Sequence, residues 1–120
     1  MTTNMILIFI GYIASIMGVV ICHEVIHWIF AKWFHRHPKI EFYQFITPVV
    51  TYKNNDNDLQ NLIISASAPI ILTILGILID GNTGTIFIKI MCLFNAFNLL
   101  PIATDGEVIL LSVINLLRKE

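Results

Sequence analysis

Eighteen residues from Met5 to Cys22 carry no charge, Leu59 to Ile79 adds twenty-one more, and Gly81 to Thr104 is broken only by Lys89. Each run is long enough to cross the roughly 30 Å hydrocarbon layer of a bilayer as a helix. Within that layer each segment has to satisfy its own backbone polar groups, which confines such runs to helices. The 120 residues are 57% hydrophobic and 12% charged, with a mean hydropathy of +0.81, beyond the apolar share of a soluble domain. The expected fold is an all-α membrane protein of three transmembrane helices, a single membrane-embedded domain over residues 1–120.

Met1 to Asn4 carries no positive charge, and the apolar run that follows has no small-residue cleavage site, so it reads as a retained span rather than a signal peptide. No Gly or Pro lies between Cys22 and Pro38, and the first helix is expected to continue through Phe34. Gly11 and Ser15, like Ala14 and Gly18, stand four apart, the spacing that lets a neighbouring helix come close. The long stem of Lys89 can snorkel its charge to an interface.

Between the first two runs, Lys39 to Tyr52 (KIEFYQFITPVVTY) is rich in Ile, Val, Thr, Tyr and Phe. It predicts a short β-hairpin or strand-like loop, followed by a turn over Asn54 to Asp58. Asp56 and Asp58 lack the later Gly and Glu of a calcium loop, and Asp58 is expected to cap the next helix. Lys32, Arg36, Lys39 and Lys53 lie in or beside this loop, Arg118 and Lys119 end the chain, and the turn at Asp80 to Thr85 has no basic residue. The positive-inside rule then puts the hairpin and C-terminus in the cytoplasm and the N-terminus outside. Trp28, Trp33, Phe34, Tyr43 and Tyr52 would form an aromatic belt on that side.

A net charge of −1 without basic clusters offers no surface for nucleic acid. Cys22 and Cys92 show neither CxxC nor framework spacing and read as reduced packing residues. The Ile- and Asn-rich composition suggests a prokaryotic cell membrane.

The polar exception is CHEVIHWIF, Cys22 to Phe30. In a helix His23 and His27 share a face one turn apart, where both imidazoles can reach one metal ion, while Glu24 can reach a water on that ion. The pattern is HExxH, a zinc-hydrolase signature, and ionisable groups within a span are expensive enough to be functional by default. A catalytic zinc takes a third protein ligand and keeps an open position. Asp105 and Glu107 are candidates, in a segment where Pro101 and Gly106 interrupt the third helix, and Glu41 is a rival. His35 and His37 form HxH beside Arg36, in a loop where they read as solvated residues.

HEVIH on the first helix, with Asn98, Pro101, Asp105 and Gly106 on the third, resembles the intramembrane site-2 protease family. That family carries HExxH and a later Asn…Pro…Asp-Gly element, and the resemblance runs from about residue 5 to about residue 115. It implies that His23, His27 and Asp105 bind zinc, that Glu24 is the general base, and that the strand-like region guides an extended substrate. The chain departs from the family at three places. Asp105 stands four positions after Pro101 where many members have one residue more between them, Ala68 stands where Gly is usual before Pro69, and Leu72 stands where an Asn is often found. Asn95 or Asn98 would then take over that Asn's contact with substrate. Pro69 should bend the middle helix and free a carbonyl near the site.

The expected function is an intramembrane zinc endopeptidase acting on a membrane-bound protein or peptide, with Zn2+ as cofactor, Asn98 touching substrate and the lipid bilayer as surroundings. The alternative is a non-proteolytic maturation or immunity-like module that retains a metal site.

Overall fold

The computed structural model describes residues 2–43, 47–53 and 56–119. The chain runs α1 (Thr3–Trp33), β1 (Lys39–Tyr43), β2 (Thr47–Thr51), α2 (Asp58–Leu78), α3 (Ile86–Phe94), a 3-10 segment (Asn95–Leu99) and α4 (Thr104–Arg118). Three helical segments, Thr3–Trp33, Asp58–Leu78 and the broken Ile86–Arg118, are long and apolar enough to cross a membrane. Thr2 caps α1 by accepting from the Met5 N–H, and the helix runs on to its cap at Phe34, as the absence of Gly and Pro requires.

α2 is the central element and packs against α1, α3, the 3-10 segment and α4. Its buried face holds Ile64, Ala68 and Leu72, and Leu72 packs with Val19 of α1 and Cys92 of α3. Leu72, at the position where the site-2 family often has Asn, is a core side chain. By contrast, residues 3–14 of α1 are exposed throughout, an apolar surface of the kind that lipid covers.

Close helix approach occurs at Gly76, not at Gly11 or Gly18. A Cβ on Gly76 would lie 3.0 Å from both Cys92 Cβ and the Leu93 nitrogen, whereas one on Gly11 or Gly18 would meet nothing within 4 Å. Ala14, Ser15 and Gly18 instead line an open groove opposite Leu72, Leu75 and Cys92. The Lys89 ammonium reaches the end of α2, where its Nζ donates to the carbonyls of Gly76 (2.7 Å), Ile77 (3.3 Å) and Ile79 (2.9 Å). The ammonium caps the carbonyl end of α2, where the helix dipole favours a cation.

The hairpin forms as expected, β1 and β2 pairing antiparallel with Ile40 opposite Val50 and Phe42 opposite Pro48. The Asn54–Asn55 part of the predicted turn and the side chain of Tyr43 lie outside the described residues. The cap of α2 is Asn57, whose side chain accepts from the Gln60 N–H, and not Asp58. Asp58 instead accepts from Lys119 (2.8 Å) and Asn115 (3.1 Å) of α4, tying the start of α2 to the end of the chain.

His35 and His37 are exposed, with left-handed φ of 57° and 52°, and Arg36 between them is buried at 1% exposure. The guanidinium donates to Gln60 Oε1 (3.2 Å), the Lys53 carbonyl (3.1 Å) and the Asn57 carbonyl (3.4 Å), and sits 5.8 Å from the Tyr52 ring. The HxH pair thus brackets an inserted arginine.

Candidate metal centre

α1 places His23 and His27 one turn apart, with ring centroids 4.6 Å apart and planes nearly perpendicular. Each ring is oriented through its Nδ1. His27 Nδ1 lies 2.8 Å from the Ile64 carbonyl of α2, an acceptor only, so that nitrogen carries the proton. His23 Nδ1 lies 2.8 Å from Asn95 Oδ1. The Asn95 amide is itself fixed: its nitrogen donates to the Met91 carbonyl at 3.2 Å, and its oxygen also accepts from Asn98 Nδ2 at 3.2 Å. His23 Nδ1 is therefore a donor too, and both Nε2 atoms present lone pairs.

Asp105 reaches this pair from the start of α4, a position set by close backbone contact. A Cβ on Gly106 would lie 1.6 Å from the Leu100 carbonyl oxygen, so only glycine allows the first turn of α4 to fold back on the chain that follows the 3-10 segment. Gly106 thus sits inside α4 and does not interrupt the helix. The interruption runs from the 3-10 turn at Asn95–Leu99 through Pro101 to the cap at Ala103. Turned inward by this fold, Asp105 Oδ2 stands 2.9 Å from His23 Nε2 and 3.1 Å from His27 Nε2, and the two Nε2 atoms are 3.0 Å apart.

Three lone-pair atoms at the corners of a triangle are poorly served by one shared proton. Ligands around a tetrahedral zinc at ~2.0 Å stand ~3.3 Å from each other, close to the spacing found here. The donor set of two imidazoles and a carboxylate, each imidazole held by an acceptor behind it, suits a divalent cation. Among the described residues, His23, His27 and Asp105 are the group of His, Cys, Asp and Glu able to hold a metal ion. Glu107 is exposed on α4 and Glu41 is exposed on β1, and neither belongs to that group.

Glu24 does not join the triangle. Its Oε2 accepts the Val50 N–H of β2 at 2.8 Å. It lines a cleft of about 550 Å³ together with His23, His27, Asp105, Asn98 and Val50. Ser65, whose carbonyl loses its helical donor to Pro69, lines the same cleft. The carbonyl that orients a ligand is Ile64's, one residue earlier. On its other side Glu24 ends an apolar groove between α1 and the hairpin, formed by Met17, Ile21, Val25, Trp28, Ile40 and Phe42 among others.

The contacts that support these side chains leave little trace in residue type. Asn95 was considered for substrate and instead stands behind His23. Ile64 contributes a main-chain carbonyl, invisible in residue type. Val50 contributes a main-chain N–H, and only the expectation of an edge strand pointed towards it.

No curated protein and no solved structure matches the chain. Residues 16–118 match the sequence model of DUF3267, a family described as "Putative zincin peptidase". The match covers both histidines and Asp105, and the chain belongs to this family of zinc peptidases.

Proposed function

We propose that the protein is an intramembrane zinc endopeptidase of the site-2 type, hydrolysing a peptide bond in a membrane-bound protein or peptide. The observation that carries this reading is the convergence of His23, His27 and Asp105 beside Glu24, within segments apolar enough to lie in a bilayer.

His23 and His27 through Nε2 and Asp105 through Oδ2 would hold the zinc, and Asn95 and the Ile64 carbonyl keep both imidazoles in the tautomer that would ligate it. When bound, zinc supplies Lewis acidity towards a carbonyl and lowers the pKa of water to about 7. Glu24, held through one oxygen, takes a proton from the attacking water and delivers it to the departing amine. Asn98, in the cleft and hydrogen-bonded through its own amide nitrogen, offers its oxygen to the substrate. An extended segment along β2 would present its amides to this cleft, since a helical substrate must unwind before attack. The basic loop and C-terminus support a cytoplasmic location for the hairpin.

Purified chain reconstituted in liposomes tests this. The wild type should bind one zinc and cleave membrane peptides. Glu24→Gln should keep the zinc and lose cleavage, and His23→Ala and Asp105→Ala should lose both. Cleavage surviving in Glu24→Gln would remove the proposed base.

A further inference from the structure

Arg36 is the most deeply buried charge among the described residues, at 1% exposure, and it stands between two left-handed histidines. Left-handed backbone is unfavourable for residues with a Cβ, so the strain on either side of Arg36 has to be compensated by what the turn achieves. It drives one side chain inward. There the planar fork meets three acceptors at once: Gln60 Oε1, the Asn57 carbonyl at the cap of α2, and the Lys53 carbonyl. The main chain repeats the link, because the Lys53 N–H donates to the Arg36 carbonyl at 2.8 Å and the Arg36 N–H donates to the Ala31 carbonyl at 2.9 Å. Lys53, two residues past the end of β2, is therefore held through both its backbone groups by one arginine.

The consequence reaches the site along β2. Since the Val50 N–H goes to Glu24, Val50 turns its backbone groups away from β1, and the alternation of an antiparallel strand turns Pro48 the same way. Proline has no N–H, so Val50 is the one residue of that pair able to donate from the free edge. Among the described residues, the Glu24 carboxylate thus takes its position from the Val50 amide, three residues from the segment that Arg36 grips.

We propose that Arg36 is a positioning residue for Glu24. By clamping the end of β2 to the ends of α1 and α2, it fixes the Val50 N–H and so aims the carboxylate into the cleft. The consequence for catalysis rests on the peptidase reading above; the clamp itself does not.

Amide hydrogen exchange on the full chain in detergent micelles separates the two. In Arg36→Gln the Val50 amide should exchange at least about tenfold faster than in the wild type, the scale of one lost hydrogen bond. Ala68 and Leu72 amides and zinc content should stay unchanged. With a quenched fluorogenic peptide bearing an apolar Ala/Leu core as probe, kcat should fall about tenfold with KM moving less than twofold. Val50→Pro, which removes the N–H donor, should lower kcat at least as much, and the double variant should lower it no further than Val50→Pro alone. Should Arg36→Gln fail to fold, Arg36→Lys, which keeps the charge and loses the fork, provides the same readings. Unchanged Val50 exchange in the Arg36 variant, or additive losses in the double variant, would overturn the proposal. A wild type that binds zinc but leaves the peptide intact would overturn the peptidase reading, while amide exchange would still decide the clamp.

Discussion

The metal triangle and Glu24 sit side by side, yet different parts of the molecule hold them. His23, His27 and Asp105 are locked by helices: Asn95 of the 3-10 segment behind one ring, the Ile64 carbonyl of α2 behind the other, and the glycine contact with Leu100 behind the carboxylate. Glu24, one residue from His23 on α1, is held among the described residues by one main-chain donor on a two-stranded hairpin. An isolated hairpin is marginal by itself, so this second region depends on its anchorage to the helices. On the proposed function, binding the ion and moving the proton are thus separable, and each region can be damaged without the other.

The largest effect should come from Glu24→Gln. Loss of a general base is expected to lower kcat by roughly 10²–10⁴-fold, with zinc content, measured by atomic absorption, unchanged. If the substitution also emptied the metal site, the two regions would not be separate.

Gly106→Ala strikes the other region. With a Cβ placed 1.6 Å from the Leu100 oxygen, the start of α4 must shift, costing about 3 kcal/mol or more. Thermal unfolding in detergent should show a large fall in Tm together with lost zinc. Asn95→Leu is gentler: the ring of His23 loses its acceptor, and zinc affinity by competitive chelation should drop about 10–100-fold, while the amide exchange of Val50 stays as in the wild type.

Lys89→Met is the control for both regions. The ammonium caps α2 at the end remote from the metal, so its loss should cost about 1–2 kcal/mol of stability, read as a modest fall in Tm. Zinc content and cleavage should not change; a change in either would mean that the far end of α2 is coupled to the site.

Much of this was legible from the residues. Charge-free runs announced three long helices, because few other structures hide that much apolar surface, and β-branched residues announced the hairpin. HEVIH marked two corners of the triangle through helical spacing alone. The third corner narrows to a few acids, with Asp105 leading because Pro101 and Gly106 shape the backbone there and the site-2 resemblance agrees; the close contact of Gly106 with Leu100 that sets its position is not encoded in spacing. Asp58 misled as a cap because Asn57, an equally good capping type, precedes it. Arg36 counted as a basic loop residue, since nothing in its type says that the turn around it would point inward. What the sequence hid were main-chain partners, the Ile64 carbonyl and the Val50 N–H, whose roles follow from packing.

The central claim is that two imidazoles and one carboxylate together hold a zinc ion. X-ray absorption at the zinc edge of the loaded wild-type chain tests it most directly. A first shell of nitrogen and oxygen at about 2.0–2.1 Å with the outer-shell scattering of two imidazoles is predicted, whereas a sulfur shell near 2.3 Å, bringing in Cys22 or Cys92, or a shell without imidazole would contradict it.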